Sequence, residues 1–286
     1  MIRLAVRVQR ERAELVLAEL LELAPAGVEE VQLDERTVEY AVYGAAGELP
    51  GLPDLTAAAG EALVEISTST LADDWQERWR EFHRPVLVSA TASGAATLRI
   101  RPPWEPAERD APPGLEELVI DPGQAFGTGG HATTRFCLQL LLELAASEPA
   151  RGPLLDVGTG SGVLAIAAAM LGYDPLPALD NERESLAAAT ENAAVNGVEL
   201  QTRLYDLRTD PLPWSPAPRV VTANLLRPLL LALAEKLPAA PAHLIAGGLL
   251  EHEVEHVVEA FARAHGLRER LRLGDGQWAA LWLSAA

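Results

Sequence analysis

Apolar residues hold the even positions from residue 2 to residue 8, and most positions between them are polar. This period of two is typical of a half-buried strand. From Leu15 to Leu23 the apolar positions recur at helical spacing instead, and Gly27 provides a stop. The segments that follow have the patterns of strand, strand, helix and strand, in the intervals 28–33, 37–43, 55–63 and 63–67. The order βαββαβ predicts a small ferredoxin-like α+β domain over residues 1–70.

The region 71–117 is expected to connect this domain to a second one. Residues 73–82 have a helical pattern with three aromatic side chains on one face, and two strand-like runs, PVLVSA and TLRIR, come after them. Five prolines then fall within residues 102–113, which indicates an extended loop, because proline lacks the amide donor that helices and sheets use. We therefore interpret 71–117 as a linker with a helix, short strands and a proline-rich loop.

Strand-length apolar runs alternate with helical stretches from residue 118 to residue 286. The predicted strands read PLLDVG, PLPALD, LQTRLYD, RVVTANLL and AHLIAGG, and two closing strands, LRERLRLG and WAALWLS, are joined by GDGQ. Five βα units followed by a hairpin predict an α/β fold with a doubly wound, mostly parallel sheet that ends in an antiparallel strand.

Composition limits the class of protein. The 286 residues are 49% hydrophobic and 22% charged, which is typical of a globular protein, and a single cysteine excludes a disulfide scaffold or a cysteine-rich zinc fold. We see no signal-peptide pattern and no apolar run of membrane-spanning length, so we expect a cytoplasmic protein that does not enter a membrane.

The formal net charge is −18, and residues 1–70 carry 13 acidic and 5 basic residues, or −8 of that total. This balance argues against direct nucleic-acid binding, which depends on neutralising phosphates, and it is compatible with a basic partner. Charge that serves only solubility is the alternative.

The sharpest motif is LLDVGTGSGVLAIAA at 154–168, where a buried strand leads through Gly158, Gly160 and Gly162 into a helix. Glycines let a backbone turn sharply and approach a ligand closely. Asp180 ends the next strand, where a carboxylate can accept hydrogen bonds from ribose hydroxyls. The G-x-G-x-G spacing, with Asp156 two residues upstream, favours S-adenosyl-L-methionine over a dinucleotide, whose sites read G-x-G-x-x-G. The alternative is a purely structural turn.

Asn224 falls at the end of the predicted strand RVVTANLL, at the same edge of the sheet. An Asn side-chain carbonyl can orient an amine nucleophile by accepting one of its hydrogens. Turning the chain into the next helix is the alternative function of this residue.

Residues 120–134, IDPGQAFGTGGHATT, form a glycine-rich segment before an apolar helix. Thr133 or Thr134 can cap that helix and present a hydroxyl to a ligand, and the glycines allow a mobile cover. His131 can act as a base, or it can pack against or cap the helix. Cys137 lies within the apolar helix and is expected to belong to the core.

Residues 252–256, HEVEH, match the H-E-x-x-H pattern of zinc hydrolases on a predicted helix. Apolar residues around them form one stripe, with both histidines on the polar side, and no third ligand follows at the expected spacing. We interpret this segment as a solvated helix face, and a zinc hydrolase remains a remote alternative.

Four segments together resemble one family: DPGQAFGTGGHATT, LLDVGTGSGVLAIAA, VVTANLL and the closing DGQWAAL. They are similar to blocks of the methyltransferases of ribosomal protein L11, the PrmA family, and DDWQERWREFHRP and LRIRPPW are similar to its linker region. The resemblance covers residues from about 73 onward. It implies a Rossmann-like, seven-stranded methyltransferase domain over 118–286, preceded by a ferredoxin-like domain that recognises the substrate.

Carried over by position, the resemblance implies cofactor contacts at Thr134, Gly158, Asp180 and Asn224, with Gly160 and Gly162 in the same loop. The methyl donor would be S-adenosyl-L-methionine, no metal would be needed, and the acceptors would be lysine ε-amines and the N-terminal α-amine of ribosomal protein L11. Two segments depart from the family pattern, PALDNE at the second strand and LIAGGLLEHE after the fifth.

The chemistry implied is an in-line attack by a neutral amine. We expect Asn224 and nearby backbone carbonyls to orient that amine, while water or His131 accepts its proton. We also expect a monomer. The principal alternative is an N-methyltransferase of the same class that acts on another protein.

Overall fold

The computed structural model describes residues 2–13, 16–17, 20, 23, 28–34, 36–44, 49–70, 83–91, 97–123, 125–148, 150–210 and 218–285. The chain forms two compact units, Met1–Phe82 and His83–Ala286. The predicted helix at 73–82 lies outside the described residues. Within the described residues, no helix has both the length and the apolar character needed to cross a membrane.

The first unit contains a four-stranded antiparallel sheet. Its elements are β1 (Ile2–Gln9), β2 (Glu29–Gln32), β3 (Thr37–Gly44), α1 (Leu52–Ala59) and β4 (Leu63–Thr70), with short 3-10 turns at Arg10–Arg12 and Gly60–Ala62. The strand order is β2-β3-β1-β4, which confirms the ferredoxin-like arrangement. Between β1 and β2 the described residues 13, 16, 17, 20 and 23 are helical.

Alternation along β1 separates a core face from a charged face. Val6 and Val8 are fully buried and pack with Tyr40, whose hydroxyl donates to Ala13 O at 3.0 Å. On the opposite face Arg3 and Arg7 each bond to Glu39 at 2.6 Å. The period-two pattern of the sequence thus corresponds to the two sides of this sheet.

Helix α1 begins earlier than the interval 55–63 predicts. It starts at Leu52 and has Pro53 in its first turn. A proline there costs no hydrogen bond, because the first amides of a helix have no intrahelical acceptor. Pro53, which interrupts a helical pattern in the sequence, is therefore part of the start of this helix.

The second unit begins with a three-stranded sheet, β5 (Val86–Ser89), β6 (Thr97–Arg101) and β7 (Leu115–Val119), in which β6 and β7 are parallel. Leu98, Ile100 and Leu118 belong to the same hydrophobic core as the helix that follows, α2 (Ala132–Ser147). These strands, which fall within the expected linker 71–117, therefore share a core with the larger domain, in the unit His83–Ala286.

The remaining elements alternate along the chain. They are β8 (Leu154–Val157), α3 (Val163–Met170), β9 (Pro177–Asp180), α4 (Arg183–Val195), β10 (Gln201–Leu204), β11 (Val220–Asn224), α5 (Arg227–Lys236), β12 (His243–Leu250), α6 (Val254–His265), β13 (Arg268–Gly274) and β14 (Trp278–Ser284). The strands form one sheet in the order β10-β9-β8-β11-β12-β14-β13.

Strands β8 to β12 pair in parallel, and β14 is antiparallel to both of its neighbours. This confirms the predicted doubly wound, seven-stranded sheet with an antiparallel last strand. The described residues after β10, 205–210, lead into a turn, and Asp206 N donates to Asp210 Oδ2 at 2.9 Å there. Residues 211–217 lie outside the described part of the chain.

Adjacent residues of the central strands enter cores on opposite sides of the sheet. Leu154 and Val220 pack with α2 and α3, whereas Leu155 and Val221 pack with α5 and α6. This explains the unbroken apolar runs in the sequence, since a strand covered on both faces has no polar side. It also places the carboxyl ends of β8, β9 and β11 at one edge, where a ligand can bind.

Candidate active site

The glycine-rich loop leaves the carboxyl end of β8. Gly158 and Gly160 have φ values of +75° and +53°, in the left-handed region that favours glycine. A Cβ on Gly158 would lie 2.3 Å from Leu225 Cδ2, and one on Gly160 would lie 2.4 Å from the Phe126 carbonyl oxygen. Neither position can accept a side chain without displacing a neighbour, and Gly162 precedes α3 as its N-cap.

Asp180, the last residue of β9, is 8% exposed and holds the glycine-rich loop. Its Oδ2 accepts from Gly160 N at 2.8 Å, and its Oδ1 accepts from Glu182 N at 3.1 Å. A carboxylate has further lone pairs beyond these two bonds, so it can also accept from a ligand. The sequence predicted a ligand contact here and missed the bond that shapes the loop.

A cavity of about 330 Å³ opens at this edge of the sheet, with Gly158 and Asp180 in its wall. The wall is largely apolar, with polar groups at Asp180, Asp206 and Arg208. It is formed by Val157, Gly158, Leu179, Asp180, Asn181, Tyr205, Asp206, Leu207, Arg208, Leu225, Pro228 and Leu229. An apolar slot with a few polar groups is typical of a small-molecule site.

Asp206 in this wall was not singled out in the sequence. Hydrogen bonds from the Arg208 side chain and backbone hold the pKa of its carboxyl below the ordinary value. Its position two residues beyond the end of β10, near the strand end where Asp180 closes the neighbouring β9, was the available signal.

Asp156 lies at the same edge but is fully buried. Thr222 Oγ1 donates to its Oδ1 at 2.6 Å across the β8–β11 pair, whereas Asp156 Oδ2 has no hydrogen-bond partner among the described residues. Burial raises the pKa of this carboxyl to about 6. A buried, incompletely bonded carboxylate is costly for the fold and is often found at a functional site.

Asn224 ends β11, and its side chain contacts Thr134 on α2. Asn224 Nδ2 donates to Thr134 Oγ1 at 3.3 Å, while Oδ1 is buried and has no partner among the described residues. The structure thus brings together two residues that are 90 positions apart in the chain. The carbonyl oxygen of Asn224 therefore lacks the hydrogen bond that a buried polar atom usually has.

The segment LIAGGLLEHE, which departs from the family pattern, packs tightly against Asn224 and Leu225. A Cβ on Gly247 would lie 2.9 Å from Asn224 Oδ1 and 2.4 Å from Cys137 Sγ. The register of β12 against β14 shifts between Ala246 and Leu249, and Gly248 has a φ of +77° within this shift. The two glycines therefore let the end of β11 approach β12 closely.

His131 is the N-cap of α2. Its Nδ1 accepts from Thr133 N at 3.4 Å and lies 2.8 Å from Thr133 Oγ1. The imidazole lies beside the Trp278 and Phe126 rings at 4.9 and 5.5 Å between centroids, and burial lowers the pKa of this histidine. Capping, one of the two functions left open by the sequence, is the one that this geometry displays. Cys137 is fully buried in the core, as predicted.

The comparisons with known proteins identify the family. A family model described as Ribosomal protein L11 methyltransferase (PrmA) matches residues 2–285. The chain belongs to the PrmA family. A relative of that name from Geobacter sulfurreducens is 39% identical over 269 residues, which cover 89% of this chain and 83% of the relative. Another, from Sorangium cellulosum, is 35% identical over 276 residues, covering 90% and 81% respectively.

A solved structure agrees with this assignment. The ribosomal protein L11 methylase from Lactobacillus delbrueckii subsp. bulgaricus aligns with a TM-score of 0.57 and 30% identity, over 69% of this chain and 98% of that one. This PrmA protein is therefore an S-adenosyl-L-methionine-dependent protein methyltransferase, as the four motifs predicted.

The HEVEH segment of this PrmA protein is divided between two elements. His252 lies in a 3-10 turn, Glu251–Glu253, and His256 lies in α6, where it contacts Arg227 at 3.5 Å. Both histidines are exposed, while Val254 and Val257 are buried, which confirms the solvated face and the apolar stripe. Within the described ranges, no group of three metal-ligating side chains comes together.

Proposed function

We propose that this PrmA protein transfers methyl groups from S-adenosyl-L-methionine to lysine ε-amines and the N-terminal α-amine of ribosomal protein L11. The observation that carries the proposal is the family match over residues 2–285, which includes both compact units and not only the cofactor fold. The names of the relatives from Geobacter sulfurreducens and Sorangium cellulosum support the same acceptor.

The residues at the sheet edge suit this cofactor. Gly158 and Asp180 share one cavity wall, and Asp180 holds Gly160, so the nucleoside would lie against the glycine-rich loop with its ribose toward Asp180. Asn224 and Thr134 would hold the end that carries the methyl group. The buried Asp156 carboxylate adds a negative field beneath the loop, which suits a sulfonium cation. When bound, the cofactor supplies an electrophilic methyl group.

The protein's own task is to prepare the acceptor amine. A free lysine has a pKa of about 10.4, so only about one in a few thousand is neutral at pH 7. Asn224 Oδ1, buried and unpartnered, can accept one N–H of the neutral amine and fix the direction of its lone pair. This requires no covalent intermediate on the protein.

The proton of the incoming ammonium needs an acceptor. His131 was the candidate beside water, but its Nδ1 already accepts from Thr133 N, so acting as a base there would cost the helix cap. We therefore assign the proton to water, with His131 capping α2. An unchanged pH profile in a His131 variant would agree with this choice.

We further propose that the first unit recognises the protein substrate. Residues 1–70 carry a net charge of −8, and a negative field accelerates encounter with a basic protein. Deleting residues 1–82 should preserve S-adenosylhomocysteine binding and abolish methylation of ribosomal protein L11. Full activity in the truncated enzyme would contradict this division. We expect a monomer that acts in the cytoplasm without binding nucleic acid or membranes.

The acceptor can be tested without assuming its identity. Incubation with methyl-labelled S-adenosyl-L-methionine and a mixture of ribosomal proteins should label the L11 band, and the label should be lost in an Asn224→Ala variant. Labelling of a different protein would favour the alternative, an N-methyltransferase of the same class with another substrate.

A further inference from the structure

Three segments of the second unit meet at one buried residue of the glycine-rich loop, Ser161. Its backbone N–H donates to the Phe126 carbonyl at 2.9 Å, and its hydroxyl donates to the Gly127 carbonyl at 2.7 Å. Its own carbonyl accepts from Asn192 Nδ2 at 2.9 Å. Every polar group of Ser161 is therefore used to attach the glycine-rich loop to other parts of the chain.

Asn192 completes a second attachment. Its Oδ1 accepts from Asp121 N at 2.9 Å, at the start of the segment 121–131 that leads to α2. The carboxamide is 3% exposed, and its orientation is fixed because its donor faces a carbonyl and its acceptor faces an N–H. One side chain on α4 thus joins the glycine-rich loop to the segment 121–131, which leads into the helix that carries Thr134.

The face of α4 that carries Asn192 is built for this contact. Ala189, one turn earlier, lies where a Cβ on Gly162 would meet it at 3.0 Å, so small residues let the helix approach the loop. Asn192 is a buried polar residue among alanines, which indicates a specific partner because an unpaired carboxamide there would be costly.

We infer that Asn192 is a positioning residue for the cofactor site: acting through Ser161, it fixes the segment 121–131 to the glycine-rich loop. The segment 120–134, expected from the sequence to be a mobile cover, is therefore bonded at two places. Asn192 on α4 holds it at Asp121, and Ser161 of the glycine-rich loop holds it at Phe126 and Gly127. The inference rests on the cofactor assignment and is independent of the identity of the protein substrate.

The chain offers a matched control in Asn196, the C-cap residue of α4, four positions after Asn192. Asn196 bonds to Val119 N and O at 2.8 and 2.7 Å, so it holds the end of β7. Asn192→Ala and Asn196→Ala remove the same chemical group, the first from α4 and the second from its C-cap. Only the first removes a bond to the glycine-rich loop.

The first measurement is the affinity for S-adenosylhomocysteine by titration calorimetry, with the melting temperature of each variant determined alongside. Leaving the buried carbonyl of Ser161 and amide of Asp121 without partners should weaken binding roughly tenfold or more in Asn192→Ala. Asn196→Ala should bind S-adenosylhomocysteine within about twofold of wild type, even if its melting temperature falls as much as that of Asn192→Ala. Equal affinities in the two variants would overturn the inference.

The second measurement requires no cofactor. Amide hydrogen exchange in a peptide that covers 158–162 should accelerate in Asn192→Ala and stay unchanged in Asn196→Ala, because only the first removes the bond to the Ser161 carbonyl that holds this loop. Unchanged exchange in Asn192→Ala would overturn the inference. A substrate other than ribosomal protein L11 would leave both results as they are.

If Asn192→Ala does not fold, two milder variants give the answer. Asn192→Asp keeps the acceptor for Asp121 N but places an oxygen against the Ser161 carbonyl, so it should lose affinity. Ser161→Ala removes the hydroxyl bond to Gly127, and it should weaken S-adenosylhomocysteine binding and accelerate exchange in residues 126–131. Wild-type affinity in both variants would show that the attachment does not position the site.

Discussion

Replacing Asp156 with asparagine tests whether this carboxylate is retained for function at the expense of stability. Its side chain is fully buried, and its Oδ2 has no partner among the described residues. An asparagine keeps the acceptor for Thr222 Oγ1 and removes the buried charge, and its amide can donate to the adjacent Thr159 hydroxyl. We expect the cofactor-free Asp156→Asn protein to be more stable than wild type at neutral pH.

The size of the effect follows from the pKa of Asp156, which burial raises from 3.8 to about 6. Below 3.8 the carboxyl is protonated in both the folded and the unfolded chain, so it contributes nothing. As the pH rises, the unfolded chain releases its proton first, and the folded state is progressively disfavoured. The cost is between about 1 and 2 kcal/mol at pH 5 and about 3 kcal/mol at pH 8, where both states are ionised.

The assay is urea unfolding of both proteins at pH 5 and pH 8, without cofactor. The stability gained by Asp156→Asn should be larger at pH 8 than at pH 5 by about 1 kcal/mol, while its affinity for S-adenosylhomocysteine falls. Asp206→Asn is the control, and it should lower the stability at pH 8 where Asp156→Asn raises it. Arg208 lowers the pKa of Asp206, so the ionised form of this carboxyl stabilises the fold at pH 8. A stability difference between Asp156→Asn and wild type that does not change with pH would refute the reasoning.

Three further predictions concern the same edge of the sheet. Asp180→Ala and Gly158→Val should each reduce S-adenosylhomocysteine affinity at least about tenfold by calorimetry, and near wild-type binding in both would contradict the site. His131→Ala should lower the free energy of unfolding by about 1 kcal/mol, because the N-cap of α2 is lost, and should leave the pH profile of turnover unchanged. A shifted pH profile would instead indicate that His131 accepts the proton. Gly247→Ala is to be combined with Cys137→Ala, because a Cβ at residue 247 would otherwise clash with the Cys137 sulfur. The double variant should displace Asn224 and lower kcat with little change in cofactor affinity. Cys137→Ala alone should leave kcat unchanged.

The sheet and the glycine-rich loop could be predicted because their signals are local. Strands covered on both faces read as nearly continuous apolar runs, so LLDV and VVTA, each with a single polar residue, were recognisable without any neighbour. Gly158 and Gly160 have positive φ values and no room for a Cβ, so the motif letters follow directly from the backbone.

The attachments of the site could not be predicted because they join distant segments. The bonds of Asn192 to Asp121 and Ser161 span 71 and 31 positions, and an Ala-rich helix contains no sign of its partner. The place of β5 to β7 in the core of the larger unit is hidden for the same reason: short strands look like linker until their core neighbours are known. Asp180 was recognised for a ligand, but its bond to Gly160 depends on how the loop folds back.

The measurement closest to the central claim is the intact mass of purified ribosomal protein L11 after incubation with S-adenosyl-L-methionine and this enzyme. The account predicts added methyl groups, located by fragmentation on lysine side chains and the N-terminal amine. It also predicts that Asn224→Ala, with its cofactor binding verified separately, adds far fewer. An unchanged mass with the wild-type enzyme, or full methylation by Asn224→Ala, would contradict it.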